Sequence, residues 1–389
     1  MADPETIERN DKGMKQPMKN IPYATQWIDD EDIEAVAAAL RSSYLTQGPL
    51  VKEFEDKIAK YCGAKYAVAV NSGTSALHAA CHAAGVNPGD EVITSPITFV
   101  ASANAVLYCG GKPVFADISD DTINIGPAEI KNRLSNRTRA IIPVHFAGHP
   151  CDMEEISGIA EKNKLSIIED AAHALGAEYK GTRIGSCKYS DMTVLSFHAV
   201  KHITTGEGGI ITTNDETLYQ KLIRFRTHGI TRDVESDEGP WYYEMQQLGY
   251  NYRITDFQCA LGISQLAKLD RFVARRREIV ARYQKEFSNE NSLILPIEKE
   301  NCASSWHLYI IQVKGDRKKT FQTLRDKGIG VNAHYLPVYL QPYYQKLGYK
   351  RGSCPKAETY YSRTITLPLY PKMSDPDVAV VIKAVREAI

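Results

Sequence analysis

Apolar and polar positions alternate with two different periods along this chain, and the switches between periods mark its elements. Residues 30–40 begin with acidic side chains and then set Ile33, Val36, Ala37 and Leu40 on one face, as an amphipathic helix does. Gly48-Pro49 interrupts, and 51–61 predicts a second helix stopped by Gly63. From Tyr66 onward, short apolar runs predict strands at 66–70, 91–94, 113–116, 140–145 and 165–169. Helical patterns at 76–84, 100–108, 127–134 and 153–162 separate them. That rhythm predicts βαβ units and a mostly parallel sheet covered on both faces. Two further strands, 192–197 and 210–213, flank a Gly/Thr-rich turn, and a helix at 216–227 follows. Beyond it come an aromatic-rich loop at 239–249 and one long helix from Ile254 with a basic surface at 271–277.

The pattern then thins. Strands at 308–313 and 364–367, with helices at 320–327 and 375–389, predict a smaller α/β domain over 276–389, packed on a larger one over 21–275. A chain of 389 residues is long for one ordinary domain, which agrees with two. Residues 1–20 mix charged and small polar side chains without any period and are expected to be a disordered tail or leader outside the fold. The 47 basic and 47 acidic residues cancel, so no overall field draws in nucleic acid or a membrane surface. No run approaches eighteen apolar residues. Eight scattered cysteines without a Cys-x-x-Cys pair read as reduced thiols of a cytoplasmic protein, neither a disulfide framework nor a metal site.

Two residues carry the candidate chemistry. Lys201 follows the apolar run 192–197 at a strand-to-turn junction, which holds its amine at one point in space. A lysine so restrained, with a lowered pKa, can form a Schiff base with a carbonyl. Asp170 ends the apolar run 165–169, and in a parallel sheet both residues open onto the carboxyl edge, where α/β proteins bind ligands. A lysine for an aldehyde and an aspartate for a pyridinium nitrogen are what pyridoxal 5′-phosphate requires. The alternative for Asp170 is a strand-end cap on the turn into Ala171-Ala172. The small-residue turn Asn71-Ser-Gly-Thr-Ser75 opens a helix, so it offers an anion site, a plain N-cap by Ser72 or Thr74, or both. Trp241, Tyr242 and Tyr243 could pack internally, wall a cleft or meet a partner subunit.

Four stretches occur in a recognisable order: Asn71-Ser-Gly-Thr-Ser-Ala-Leu-His78, Glu169-Asp-Ala-Ala-His173, Ser196-Phe-His-Ala-Val-Lys201 and Asn251-Tyr-Arg-Ile-Thr-Asp256. Together they resemble the DegT/StrS family of sugar aminotransferases, from about Ile21 to the C-terminus. The resemblance implies the fold type I architecture of aspartate aminotransferase-like enzymes. It implies Lys201 as the lysine bonded to pyridoxal 5′-phosphate and as acid/base, and Asp170 on the pyridine nitrogen. Thr74, Ser75 and Ser196 would hold the phosphate, Phe99 would stack on the ring, and His173 would meet the phenolic oxygen. Asn251 would reach the phosphate of a neighbouring subunit, making a homodimer with composite sites. Arg253 would bind the donor's carboxylate, while His334 and Tyr335 would contact substrate or simply pack beneath the smaller domain. His198 reads as a structural histidine.

Trp241-Tyr-Tyr-Glu-Met245, Asp270-Arg-Phe-Val-Ala-Arg-Arg-Arg277 and Val331-Asn-Ala-His-Tyr-Leu-Pro337 narrow the resemblance within the family. They imply L-glutamate as donor, leaving as 2-oxoglutarate. The implied acceptor is a UDP-linked 4-keto-6-deoxy sugar, UDP-2-acetamido-2,6-dideoxy-β-L-arabino-hex-4-ulose, of pseudaminic acid biosynthesis. Perosamine- or bacillosamine-type keto-sugars, and a sugar-nucleotide-binding regulator without turnover, stand as alternatives. A dehydratase is disfavoured because relatives of that kind carry histidine in place of the lysine, and His202 is displaced by one position.

Overall fold

The apolar runs read from the sequence meet in one seven-stranded sheet. The computed structural model describes residues 20–232 and 238–389, so the tail expected over 1–20 lies, but for Asn20, outside the described residues. The strands are β1 (Tyr66–Val70), β2 (Glu91–Thr94), β3 (Lys112–Phe115), β4 (Thr138–Ile142), β5 (Ser166–Asp170), β6 (Met192–Ser196) and β7 (Gly209–Thr213). Their order is β1-β7-β6-β5-β4-β2-β3. β7 runs antiparallel to both its neighbours, and the remaining pairs are parallel. Six strands therefore end on the same edge of the sheet, and β7 begins there.

Successive residues of a strand face opposite sides, and here each side is apolar. Ile93, Ile141, Ile167, Leu195 and Ile210 pack on one face with α2 (Pro49–Cys62) and α6 (Met153–Asn163). Val92, Ile142, Ile168, Val194 and Ile211 pack on the other with α3 (Gly73–Ala83), α4 (Ala101–Tyr108) and α7 (Glu216–Arg226). The helix stops follow local chemistry. Gly63 closes α2 in the left-handed region at φ 80°, and Asp215 caps α7 through the N–H groups of Thr217 and Leu218. α1 (Asp30–Arg41) carries a capping box at Asp29, and α5 (Pro127–Arg133) opens with proline.

The long helix expected from Ile254 is two. α8 (Asp256–Leu266) ends at Ala267, and α9 (Leu269–Phe287) starts after Lys268. Lys268 is buried and its amine pairs with Asp29 and, at 3.0 Å, with Asp32 of α1. The periodicity continues across the break, but this cation is drawn to the acidic start of α1. α9 then runs through both cores. Leu269, Phe272 and Val273 belong to the core of the large sheet, and Ile279, Val280, Tyr283 and Phe287 to a second core. That second core surrounds an antiparallel sheet of β8 (Leu293–Ile294), β9 (Tyr309–Val313) and β10 (Thr364–Leu367). α10 (Arg317–Asp326) and α13 (Asp375–Ala388) cover it, while α11 (Pro342–Lys346) and α12 (Pro355–Arg363) lie between the last strands in sequence. α10 begins three residues earlier than its apolar period indicates, because Asp316 caps the N–H of Lys319 at 3.0 Å.

Two details differ further from the sequence pattern. Ile21 packs in the C-terminal core, with its carbonyl accepting from Gly330 N–H at 2.7 Å, although it precedes all the strands of the large sheet. Within the aromatic loop, Glu244–Met245 pairs antiparallel with Ile230–Thr231. Among the described residues, no helix is long and apolar enough to cross a membrane.

The start of β7 sits against the start of α3. A Cβ at Gly209 would fall 2.4 Å from the Ser72 carbonyl oxygen and 2.7 Å from Gly73 N. Gly209→Ala is therefore expected to push the first turn of α3 away from the sheet edge, at an overpacking cost of about 1–3 kcal/mol. Thermal melting should show a lower Tm and gel filtration a weaker hold on cofactor; an unchanged variant would refute the close contact.

Candidate active site

A cleft of about 490 Å³ opens where the strands of the large sheet end, and His307, Leu308, Asn332, His334 and Tyr335 of the C-terminal part also line it. Asp170 is the last residue of β5 and is buried. Its Oδ1 accepts the Ala172 N–H at 3.1 Å and its Oδ2 accepts the Ser102 hydroxyl at 2.6 Å. The turn cap is thus formed through one oxygen, and Ser102 of α4 orients the other. Ser196 ends β6 and Lys201 lies in the turn between β6 and β7. That turn is pinned by Phe197, whose N–H donates to Gly208 and whose carbonyl accepts from Thr205 N–H and the Thr204 hydroxyl. Burial pulls the Lys201 ammonium down to about 8, against the upward pull of the Asp170 carboxylate.

The first turn of α3 forms the opposite wall, with Ser72, Gly73 and Thr74 lining the cleft. The helix cannot satisfy the N–H groups of its own first turn. Ser72 caps one, accepting Ser75 N–H at 3.0 Å, and those of Gly73 and Thr74 are left for a ligand. A Cβ at Gly73 would stand 3.1 Å from the Ser196 hydroxyl, so the glycine keeps this hydroxyl and the helix start within reach of one anion. Ser75 is placed differently from the expectation. Its hydroxyl donates to Asn71 Oδ1 at 2.6 Å, the residue is buried, and it does not line the cleft. The third residue of a helix points back over the helix start, and Asn71, just before the capping Ser72, supplies the partner.

Phe99 lines the cleft with 58% of its surface exposed, a large ring with nothing packed over much of it. His173 is buried, its Nε2 stands 3.5 Å from the Tyr335 hydroxyl, and its Nδ1 has no hydrogen-bond partner among the described residues. Burial, reinforced by Lys201, His334 and His202, holds His173 well below the usual histidine range, so its ring is neutral. His334 bonds Thr366 Oγ1 through Nδ1 at 2.7 Å, and burial with Lys201 nearby takes it down to about 4. Burial also raises the Tyr335 hydroxyl. His198 is half-exposed on the cleft wall, 3.9 Å from Glu207, rather than a buried structural residue.

Asn251 and Arg253 do not line this chain's cleft. Asn251 is exposed, and its carbonyl accepts from Asn71 Nδ2 at 3.5 Å beside the α3 turn. Tyr23, Thr98, Ser102, His307 and Asn332 were not anticipated from sequence, and all but Ser102 line the cleft. Their one local signal is polarity next to an apolar run, which many surface residues share.

These features fit a phosphorylated pyridine aldehyde. There is an amine of lowered pKa, a buried carboxylate lining the same cleft, an uncovered aromatic face, an imidazole nitrogen unpartnered among the described residues, and a helix start narrowed by glycine. Fold and site define a pyridoxal-phosphate-dependent transferase of fold type I. Residues 26–386 match the DegT/DnrJ/EryC1/StrS aminotransferase family, and the chain belongs to it. It is 45% identical over 381 residues to the spore coat polysaccharide biosynthesis protein SpsC of Bacillus subtilis, covering 95% of this chain and 97% of that one. It is 40% identical over 365 residues to the UDP-4-amino-4,6-dideoxy-N-acetyl-beta-L-altrosamine transaminase of Campylobacter jejuni, covering 92% and 94%. Among solved structures, the PMP-form of a sugar aminotransferase, Spr1654 of Streptococcus pneumoniae, superposes with a TM-score of 0.90 at 33% identity, covering 95% and 99%. The protein is a sugar aminotransferase, and its cofactor is pyridoxal 5′-phosphate.

Only the neutral amine attacks an aldehyde. With Lys201 near 8, cofactor capture by the apoenzyme should speed up about tenfold per pH unit below that point and level off above it. The sign follows for stability: between about 8 and 10.5 the unfolded chain holds the proton and the fold does not, so the apoprotein gains stability as pH rises. Stopped-flow absorbance across pH 6–9.5 checks the first statement; a flat profile would contradict it.

Proposed function

We propose that this enzyme moves an amino group from L-glutamate to C4 of UDP-2-acetamido-2,6-dideoxy-β-L-arabino-hex-4-ulose. It would do so in the cytoplasm, as a homodimer with composite sites. The observation that carries the aminotransferase chemistry is the meeting of Lys201 and Asp170 in one cleft. The acceptor rests on the 40% identity to the altrosamine transaminase and on the stretches at 241–245, 270–277 and 331–337.

When bound, pyridoxal 5′-phosphate supplies an aldehyde that carries the amino group and an electron sink for the carbon that loses its proton. The rest of the work falls to the chain. The N–H groups of Gly73 and Thr74 and the Ser196 hydroxyl hold the phosphate at the positive end of α3. Phe99 covers one ring face and keeps water from it. Asp170, oriented by Ser102, keeps the pyridine nitrogen protonated, an effect worth about 1–3 pKa units for an adjacent opposite charge. His173 offers a neutral nitrogen to the phenolic oxygen. Lys201 carries the proton between the substrate's amino-bearing carbon and C4′, and a base near pH 8 can both take and return it. His334 and Tyr335, which line the cleft from the C-terminal part of the chain, face the sugar. Asn251 and Arg253 serve the partner's cleft, to the phosphate and to the donor's carboxylate.

A second reading has its own support. Identity to SpsC, at 45%, exceeds that to the altrosamine transaminase, which favours a different nucleotide-linked keto-sugar on the same machinery. Incubating the enzyme and glutamate with a panel of UDP- and dTDP-4-keto sugars, read by mass spectrometry, decides between them. The proposed acceptor should give a 4-amino product faster than its epimers; a preference for another keto-sugar would sink this assignment. Lys201→Ala should lose at least ~10²–10⁴-fold in turnover, the usual worth of general acid–base work alone.

Sharing of sites is tested by mixing. If the site is composite, heterodimers of Asn251→Ala with Lys201→Ala have one site with both lesions and one with neither. Activity above both parents is expected, and none, with subunit exchange verified, would refute the shared site.

A further inference from the structure

Along the inner wall of the cofactor cleft runs a row of buried rings, of which His307, itself lining the cleft, and His202 have no part in the chemistry above. His307, just before β9, is buried, as is His173. Their ring centroids are 4.4 Å apart at an interplanar angle of 33°, and the Nδ1 atom of each lacks a hydrogen-bond partner among the described residues. Beyond His307, the ring of His202 lies 5.4 Å away and is tethered through Nε2 to the Ser305 carbonyl at 3.1 Å. On the cleft side, the Tyr335 ring stacks toward His173 at 6.2 Å and 22°.

The backbone carrying His307 is fixed independently of the cleft. Arg276, buried in α9, donates through Nη1 to the carbonyls of His307 at 3.1 Å and Leu369 at 2.9 Å. Ser305 donates its hydroxyl to the His173 carbonyl at 3.2 Å and its N–H to the Gly148 carbonyl at 3.1 Å. No slack separates these segments: a Cβ at Gly148, where φ is 96°, would lie 2.8 Å from the amide nitrogens of Trp306 and His307 and 2.9 Å from the His173 carbonyl.

One contact of the His173 ring is therefore with a rigidly mounted face, and only the long 3.5 Å approach of Tyr335 engages its nitrogens. A close ring-on-ring contact, even tilted by 33°, restrains a ring's orientation without spending its hydrogen-bonding atoms. The charged and titratable groups facing His173 are Lys201, His334, His202, Tyr335 and His307; those facing His307 are His173, Lys201, His202 and Arg276. The charges that these surroundings can bring are overwhelmingly positive, so both rings stay neutral and do not repel one another. We propose that His307 is a positioning residue, whose imidazole face sets the plane in which His173 presents a nitrogen to the cofactor's phenolic oxygen. The inference rests on the role given to His173 above.

The test compares His307→Phe, which keeps a flat ring, with His307→Leu, which keeps bulk without one, in the cofactor-loaded enzyme. The readouts are the pH midpoint of the bound cofactor's visible absorbance, kcat, and KM for the sugar acceptor. His307→Leu is expected to move the midpoint and lower kcat roughly ten- to a hundredfold, the scale of an ångström of misplacement, with KM little changed. His307→Phe is expected to stay near the parent in all three. An unmoved midpoint in His307→Leu overturns the proposal. So does a His307→Phe variant as damaged as His307→Leu, which would mean that a nitrogen of His307 meets the ligand directly. If His307→Leu fails to fold, His307→Phe decides: a parental midpoint supports the stack and a displaced one overturns it. His173→Phe separates the two levels. If it moves the midpoint while a folded His307→Leu does not, only this inference fails; if it does not move the midpoint, the role of His173 fails.

Discussion

The site depends on one close approach of backbone, where the start of β7 and the end of β6 press against the first turn of α3. Glycine at 73 and 209 removes the side chains that would hold these segments apart. The result brings three unlike donors to one point: two helix N–H groups and the Ser196 hydroxyl. Such donors at the positive end of a helix dipole suit an anion, and among the described residues Lys201 is the one lysine or arginine that lines the cleft. That leaves the lysine free for chemistry. Its own turn is tied to the same junction through Phe197, whose N–H and carbonyl bond Gly208, Thr205 and Thr204.

Burial of charge is the second governing term. Lys201, His173, His202, His307 and His334 crowd one small volume, and desolvation is the first cause of the lowered pKa in each. The outcomes differ usefully. The lysine is left near 8, where it can exchange a proton, whereas the histidines are driven neutral and become shaped polar surface. Asp170 is the anion among them, and it is fixed by Ser102 and the Ala172 N–H before any cofactor arrives.

α9 joins this site to the second core. Its first turns pack under the large sheet, its last turns pack under β9 and β10, and Arg276 midway grips the carbonyl of His307. Ile21, held by Gly330, ties the segment carrying Tyr23 to the same core. The C-terminal wall of the cleft is thus tied to the sheet by that helix, by this strap and by a further shared core, in which Phe115 and Phe146 pack with Leu308, Val338, Tyr339 and Tyr344.

Much of this was legible in the residues alone. The strands of the large sheet, the helices between them, and Lys201 and Asp170 at one sheet edge follow from period and position, because a strand buried on both faces must be apolar throughout. Other features belong to the tertiary structure. No local pattern announces that Lys268 breaks a helix, since its acidic partners stand some 240 positions earlier in the chain. Nor could sequence show that Ser75 turns inward while Gly73 and Thr74 face the cleft, a difference of one residue around a helix. His307 and Tyr23 come to the site from opposite ends of the chain. Period tells which face of an element is buried, and only the packing of whole elements decides what that face meets.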